Sequence, residues 1–228
     1  MKAWALVAAS VIAGGLAVPL HVVATPLSAA GAGAFAALGL VVWRWSHLRS
    51  SMKMGTRHAG WPIVRPAMSM GLGLLVGLGA LAVIRLVIEP AIPAAGARIA
   101  AAGALPLWRR AAIIYVAAVG EELVFRLLLL SLIAGILVRL VRRTEQGPSR
   151  RIIWVANGLS ALAFAAVHLP AWSAMGPLSP GLALMVLALN GVGGLVFGYV
   201  FVKHGISAAM WAHAGADCAV QLIGPLTG

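Results

Sequence analysis

Long apolar runs separated by short polar links dominate the chain. Seven runs reach or approach the roughly 20 residues that a helix needs to cross hydrocarbon: 3–23, 29–46, 67–89, 110–138, 152–170, 181–202 and 206–226. Period-2 alternation over about ten residues, the mark of a transmembrane β-strand, is missing. The pattern predicts an all-α, polytopic membrane helical bundle of about seven transmembrane helices, built as a single integral membrane domain over 1–228. The Ala/Gly-rich stretch 93–107, with Arg98 inside it, is too short to span; it predicts an interfacial or re-entrant helix packed against the fourth span. The first run follows Lys2 and precedes Ser28, Ala29 and Ala30, as a signal peptide would. Its apolar part exceeds a signal core of about 7–15 residues and predicts a retained span.

Composition agrees. Of 228 residues, 62% are Ala, Val, Ile, Leu, Met, Phe, Trp, Tyr or Cys, 10% are charged, and the mean hydropathy is +1.00. A soluble domain carries about 25% charged residues, so that class is excluded. Seventeen Lys and Arg against five Asp and Glu leave a net charge of +12. In a soluble protein this surplus would suggest nucleic acid. Here the cations cluster in links between apolar runs, so no nucleic-acid partner is expected and the charge reads as membrane-orienting. The links 44–66 (Arg44, Arg49, Lys53, Arg57, Arg65) and 139–151 (Arg139, Arg142, Arg143, Arg150, Arg151) are basic, whereas 24–28 and 171–180 carry no charge. Basic links facing the cytoplasm put the N-terminus inside and, after seven spans, the C-terminus outside; Arg98, Arg109 and Arg110 break that pattern. The expected setting is multi-pass in the cell (inner) membrane, with membrane lipid as a constant partner. The single cysteine, Cys218, excludes an internal disulfide and a cysteine-based zinc cluster.

Of the five acidic residues, Glu89 and Glu145 fall at span ends or in links, but Glu121, Glu122 and Asp217 lie within apolar segments, as do Arg126, His168 and His213. An ionisable group inside a membrane costs a few kcal/mol or more, so it persists mainly where it has work to do. Glu122 and Arg126 are i and i+4 and share a helix face, which lets them pair within lipid. Glu121 is turned about 100° away and is free to meet a neighbouring helix. Phe164 and His168 share a face of the fifth span, and His213 and Asp217 a face of the seventh. Glu121, His168, His213 and Asp217 therefore have the means to converge from three helices. A carboxylate and two imidazoles, Glu121, His168 and His213, hold Zn2+ with an open position or position a water without metal; either arrangement makes a hydrolytic site. Asp217 is available to orient His213, to act as a ligand or, protonated, to donate a hydrogen bond.

The motifs Glu121-Glu122…Arg126, Phe164…His168 and His213…Asp217 stand in the order E-E-x-x-x-R, F-x-x-x-H, H-x-x-x-N/D. In these the chain resembles the CPBP intramembrane proteases, the family of type II CAAX prenyl endopeptidases and Abi-like bacteriocin-processing or immunity proteins. The run Gly194-Leu195-Val196-Phe197-Gly198 also resembles the family, and the likeness covers about 110–220. It implies hydrolysis of a peptide bond in a membrane-associated peptide or protein substrate. In that reading Glu121, with His168, activates water, His213 and Asp217 stabilise the oxyanion or complete a metal site, and Glu122 and Arg126 are structural partners. CAAX endopeptidases usually carry Asn where this chain has Asp217; an Asp replaces the amide only when protonated. Prenylated CAAX peptides, bacteriocin leaders and membrane-protein tails are all compatible substrates.

Two other readings use the same residues. A proton-coupled transporter would employ Glu121, Glu122, His168 and Asp217 as a relay, though the chain lacks the paired, interrupted halves of such proteins. A catalytically silent family member would act as a scaffold or immunity factor. Elsewhere, Gly71, Gly73, Gly77, Gly194 and Gly198 predict close helix packing. Trp43, Trp45, Trp61, Trp108, Trp154 and Trp172 predict interfacial anchors. Met52, Met54, Met68 and Met70 read as membrane-surface packing and Cys218 as inert. Asn190, in the sixth span, predicts a cross-helix hydrogen bond or, together with Phe164, a place in the pocket lining.

Overall fold

The computed structural model describes residues 3–17, 27–46, 64–141 and 148–227. The rest of the basic link 44–66 (with Met52, Met54 and Trp61), residues 18–23 of the first span, His21, Arg142, Arg143 and Glu145 lie outside the described residues. Among the described residues there is no strand. The helices are α1 (Ala3–Ala17), α2 (Leu27–Trp45), α3 (Val64–Val83), α4 (Pro93–Ala101), α5 (Leu107–Glu122), α6 (Ser131–Val141), α7 (Arg150–Ala166), α8 (His168–Ser173), α9 (Pro180–His204) and α10 (Ile206–Cys218). Each expected span thus contains helix. Among the described residues, four stretches are long and apolar enough to cross a membrane: Pro66–Ile88, Leu107–Val141, Arg150–Ser173 and Pro180–His204. This is a helical membrane bundle.

α5 and α6 are one continuous rod of 35 residues. At 1.5 Å per residue it is about 52 Å long, well beyond the ~30 Å hydrocarbon thickness, so it tilts or projects. Their junction, Leu123–Leu130, winds in wide π-type turns directly after the paired glutamates. Such turns disturb the regular backbone ladder and often mark functional sites. Here two hydroxyls reach the altered carbonyls: Ser160 Oγ donates to Phe125 O (2.5 Å) and Ser131 Oγ to Arg126 O (3.4 Å).

α10 is the hub. It lies along α3 on one side and against α5 and α9 on others, while α7 packs on α9 and the α1–α2 pair covers α5 and the wide turns. Glycine makes the α3–α10 contact possible. A Cβ on Gly73 would run into the Ala212 carbonyl, one on Gly77 would lie 2.5 Å from Ala216 O, and one on Gly215 would meet the Met70 carbonyl. Backbone therefore touches backbone, the small-xxx-small geometry of membrane helices. Gly71, by contrast, faces open space and has no part in the contact. Because the obstruction at Gly73 is main chain, Gly73→Val is expected to cost about 1–3 kcal/mol or more. A lower Tm of the purified protein in detergent checks this.

The 93–107 stretch forms α4 and one tight turn, as expected, but its main contacts are the end of the α3 rod and the C-terminal turn at Gly224–Leu226 rather than the fourth span. Its cation ties it to a further segment, the end of α8 and the link after it. Arg98 donates to Trp172 O (2.9 Å) and Pro177 O (3.0 Å), and Arg110 donates to Gln221 O (3.1 Å). Two of the three arginines that break the basic-link pattern are thus used to tie segments together and are poor witnesses of orientation.

Candidate active site

Each site residue is placed by a local feature of its helix. Glu121 and Glu122 end α5 at the entry to the wide turns. His168 follows a break at Val167, where α7 stops and α8 begins. Pro170 supplies the cause: it lacks the N–H that would reach Ala166 O, and its ring crowds that carbonyl. His213 and Asp217 are one turn apart on α10, which starts after Gly205. Gly205 has φ +88°, a backbone angle that suits glycine, and there the chain reverses out of α9.

These pieces bring the four expected residues together. Glu121 Oε2 lies 3.7 Å from His213 Nε2 and 3.9 Å from His168 Nε2, and Asp217 Oδ2 lies 3.7 Å from the same His213 Nε2. All are too long for direct hydrogen bonds and suited to a bridging water. Glu121 Oε2 and Asp217 Oδ2 are buried without a hydrogen-bond partner from the protein. The Glu121 side chain is nevertheless 32% exposed, and His168 and Asp217 are each 24% exposed, whereas His213 is 4%. The cluster is therefore reachable on one side and walled on the other.

The opposite ring nitrogens are already committed. His168 Nδ1 lies 2.7 Å from Phe164 O, its own helix one turn back. A carbonyl only accepts, so that nitrogen carries the proton and Nε2 of the neutral ring is a bare acceptor facing Glu121. His213 Nδ1–H donates to Glu122 Oε1 at 2.9 Å. Glu122 rather than Asp217 thus holds His213 through Nδ1, while Asp217 faces Nε2, where a ligand or a protonated hydrogen-bond donor would stand. Glu122 is completely buried and its Oε1 also lies 3.3 Å from Arg126 Nη1, as their spacing predicted. The carboxylate thus links a cation to an imidazole rather than forming a bare pair. Arg126 Nη2 donates to Gly194 O (3.2 Å), and the guanidinium sits over the Phe164 ring (4.4 Å) and the Phe197 ring (5.6 Å).

Aromatic rings hold the imidazoles from behind. Phe164 meets His168 edge-on at 4.7 Å and His213 at 5.7 Å. Phe197 stacks on His213 at 4.8 Å and 16°, a role that motif reading did not assign to it. The clue was its position between Gly194 and Gly198. A Cβ on Gly194 would press on the Ala161 backbone at 3.0 Å, and one on Gly198 would collide with the Asn157 amide. Those glycines draw α9 onto α7, and the ring between them projects inward. Asn190 Nδ2 donates to Val186 O (2.8 Å) one turn back in its own helix rather than across to another.

As the side chains stand, no group of three or more His, Cys, Asp or Glu among the described residues is gathered tightly enough to hold a metal ion. Two ligands on tetrahedral Zn2+ lie about 3.3–3.4 Å apart, given metal–ligand bonds of about 2.0–2.1 Å. The pairs here are a few tenths of an ångström wider. By kind they suit the ion, with both Nδ1 atoms anchored and both Nε2 atoms directed at a shared space.

The family model for the type II CAAX prenyl endopeptidases, Rce1-like, matches residues 103–219, about half of the chain. The chain belongs to this family. The matched segment encloses Glu121, Glu122, Arg126, Phe164, His168, His213 and Asp217. Membership in the Rce1-like family makes it an integral membrane protein of a peptidase family, with a lipid environment and a peptide as the class of substrate. No curated protein and no solved structure matches the chain.

Proposed function

We propose that this protein is an intramembrane endopeptidase in which Glu121 and His168 activate water and His213 and Asp217 stabilise the oxyanion. One observation carries the reading: a partly exposed carboxylate stands within water-bridged reach of two imidazoles whose far nitrogens are pinned. A water between Glu121 Oε2 and His168 Nε2 gives up a proton to Glu121 as it attacks the scissile carbonyl. General-base help of this kind contributes about 10²–10⁴ in rate. The oxyanion is met by a protonated Asp217 and by His213 Nε2–H; with Nδ1–H already on Glu122, His213 acts here as the imidazolium, protonated on both nitrogens. Glu121 then returns the proton to the leaving amine. The transporter reading has no counterpart in a peptidase family, and no scaffold role requires Glu121 to face both rings.

A second reading has one observation in its favour, the two anchored imidazoles: Zn2+ held by Glu121, His168 and His213. When bound, the ion would polarise the carbonyl and acidify its water. Dialysis of the purified protein against a chelator separates the readings, since the water mechanism retains full activity and the metal mechanism loses it until Zn2+ is restored.

For the substrate we propose the C-terminal segment of a membrane-anchored peptide. The test offers the full chain in proteoliposomes a farnesylated Cys-a-a-X peptide, its unprenylated twin and a transmembrane peptide tail, and detects fragments by mass spectrometry. Cleavage of none of the three by protein that is folded and monodisperse would refute the endopeptidase reading.

Asp217 provides a sharper check. If its acid form donates to the oxyanion, activity falls as rising pH ionises it. Asp217→Asn is expected to keep activity and remove that alkaline limb, because an amide donates at any pH. Asp217→Ala is expected to lose about 10²–10³-fold, the usual cost of an oxyanion donor. A pH–rate profile of the three proteins measures both.

A further inference from the structure

A cleft of about 420 Å³ opens between α7 and α9 at the end of the bundle far from His168. By helix rise, Arg150 and His168 are about 27 Å apart along α7–α8, so the cleft is no part of the peptidase cluster. Its rim is cationic. Arg150 and Lys203 both line it and both are exposed, and among the described residues neither is paired with a carboxylate. One wall is an aromatic shelf: Trp154 and Tyr199 stack at 6.1 Å and 18°, each more than two-fifths exposed, with Lys203 Nζ 5.9 Å from the Tyr199 ring. Beyond the shelf the outward faces of both helices are bare hydrocarbon-facing surface, with Leu159 and Leu162 on α7 and Val192 and Leu195 on α9 all exposed.

This is a graded surface: two cations at the helix ends, amphipathic rings one turn deeper, then aliphatic side chains toward mid-membrane. We propose that the cleft is a binding site for an anionic phospholipid. The headgroup phosphate sits between Arg150 and Lys203, the glycerol region lies on the Trp154–Tyr199 shelf, and the acyl chains run down the seam between α7 and α9. Basic pockets between transmembrane helices take such headgroups, and rings of this type settle at headgroup depth. The volume falls in the range of about 300–1,000 Å³ usual for ligand sites. Charge selects the occupant, because a zwitterionic headgroup would bring its own cation to the arginine and lysine. The seam is also structural. Asn157, in the floor of the cleft, ties α7 to α9 by donating to Leu195 O (3.0 Å), so a lipid there would brace the two helices that also carry Phe164 and Phe197.

The test is native mass spectrometry of the full chain in detergent, titrated with dioleoyl phosphatidylglycerol or dioleoyl phosphatidylcholine. The natural protein is expected to retain phosphatidylglycerol preferentially. Arg150→Gln with Lys203→Gln is expected to weaken that binding at least tenfold, while Arg44→Gln with Arg151→Gln, removing equal charge outside the cleft, leaves it within about twofold. Equal loss in both double variants, or no preference for the anionic lipid, overturns the site. Displacement of the lipid by millimolar inorganic phosphate overturns the lipid assignment in favour of a free anion. Unchanged Tm in both variants keeps any loss attributable to the cleft.

Discussion

Glu121→Gln is expected to reduce peptide cleavage by at least about a thousandfold while leaving the fold intact. Glutamine keeps the volume of the side chain but cannot take a proton from water, so the general-base contribution of about 10²–10⁴ is lost together with proton delivery to the leaving amine. Stability should not suffer. Glu121 Oε2 has no hydrogen-bond partner from the protein, and the side chain is a third exposed. The informative result is the pairing of the two measurements: single-turnover cleavage near background and a Tm within a degree or two of the natural protein. Substantial cleavage by a folded Glu121→Gln protein would remove Glu121 from the chemistry, and with it the proposed mechanism. His168→Gln should be milder, because His168 shares the activation rather than accepting the proton alone.

Arg126→Met is expected to do the reverse, striking stability first. Arg126 is 1% exposed and stands against Glu122, Gly194 O and two aromatic rings. Removing the guanidinium leaves the wholly buried Glu122 carboxylate with His213 as its remaining partner, and breaking a buried pair costs about 3–5 kcal/mol. A fall in Tm and in resistance to denaturant measures it. Arg126→Lys is not expected to rescue, since an ammonium cannot serve the carboxylate and the Gly194 carbonyl while lying flat on Phe164. Adding Glu122→Gln to Arg126→Met should recover part of the stability, because the buried charge is gone. It should not recover activity, because His213 then loses the anionic anchor on Nδ1. A double variant no more stable than Arg126→Met alone would show that packing on Phe164 and Phe197, rather than charge, dominates at this position.

The one-dimensional pattern was sufficient for much of this. Apolar run length fixes helix and membrane because only helices and closed barrels satisfy every backbone group in hydrocarbon, and a barrel needs the alternation that these runs lack. The i, i+4 spacing of Glu122 and Arg126 dictates their contact, since both lie on one rod whose geometry is known in advance. The same holds for Glu121 pointing elsewhere and for Phe164 and His168 sharing a face. Tertiary structure alone decided which carboxylate reaches which ring nitrogen. Glu122 and His213 are 91 residues apart. Their hydrogen bond depends on where α10 stands beside α5, and α10 is seated on its other side against α3, where Gly73, Gly77 and Gly215 meet opposing main chain. It likewise decided that Phe197 backs His213, that Asn190 turns to its own helix, and that Arg98 and Arg110 are spent on carbonyls instead of orientation. Periodicity tells which face of a helix is inward; the neighbour on that face, and its height, come only from packing.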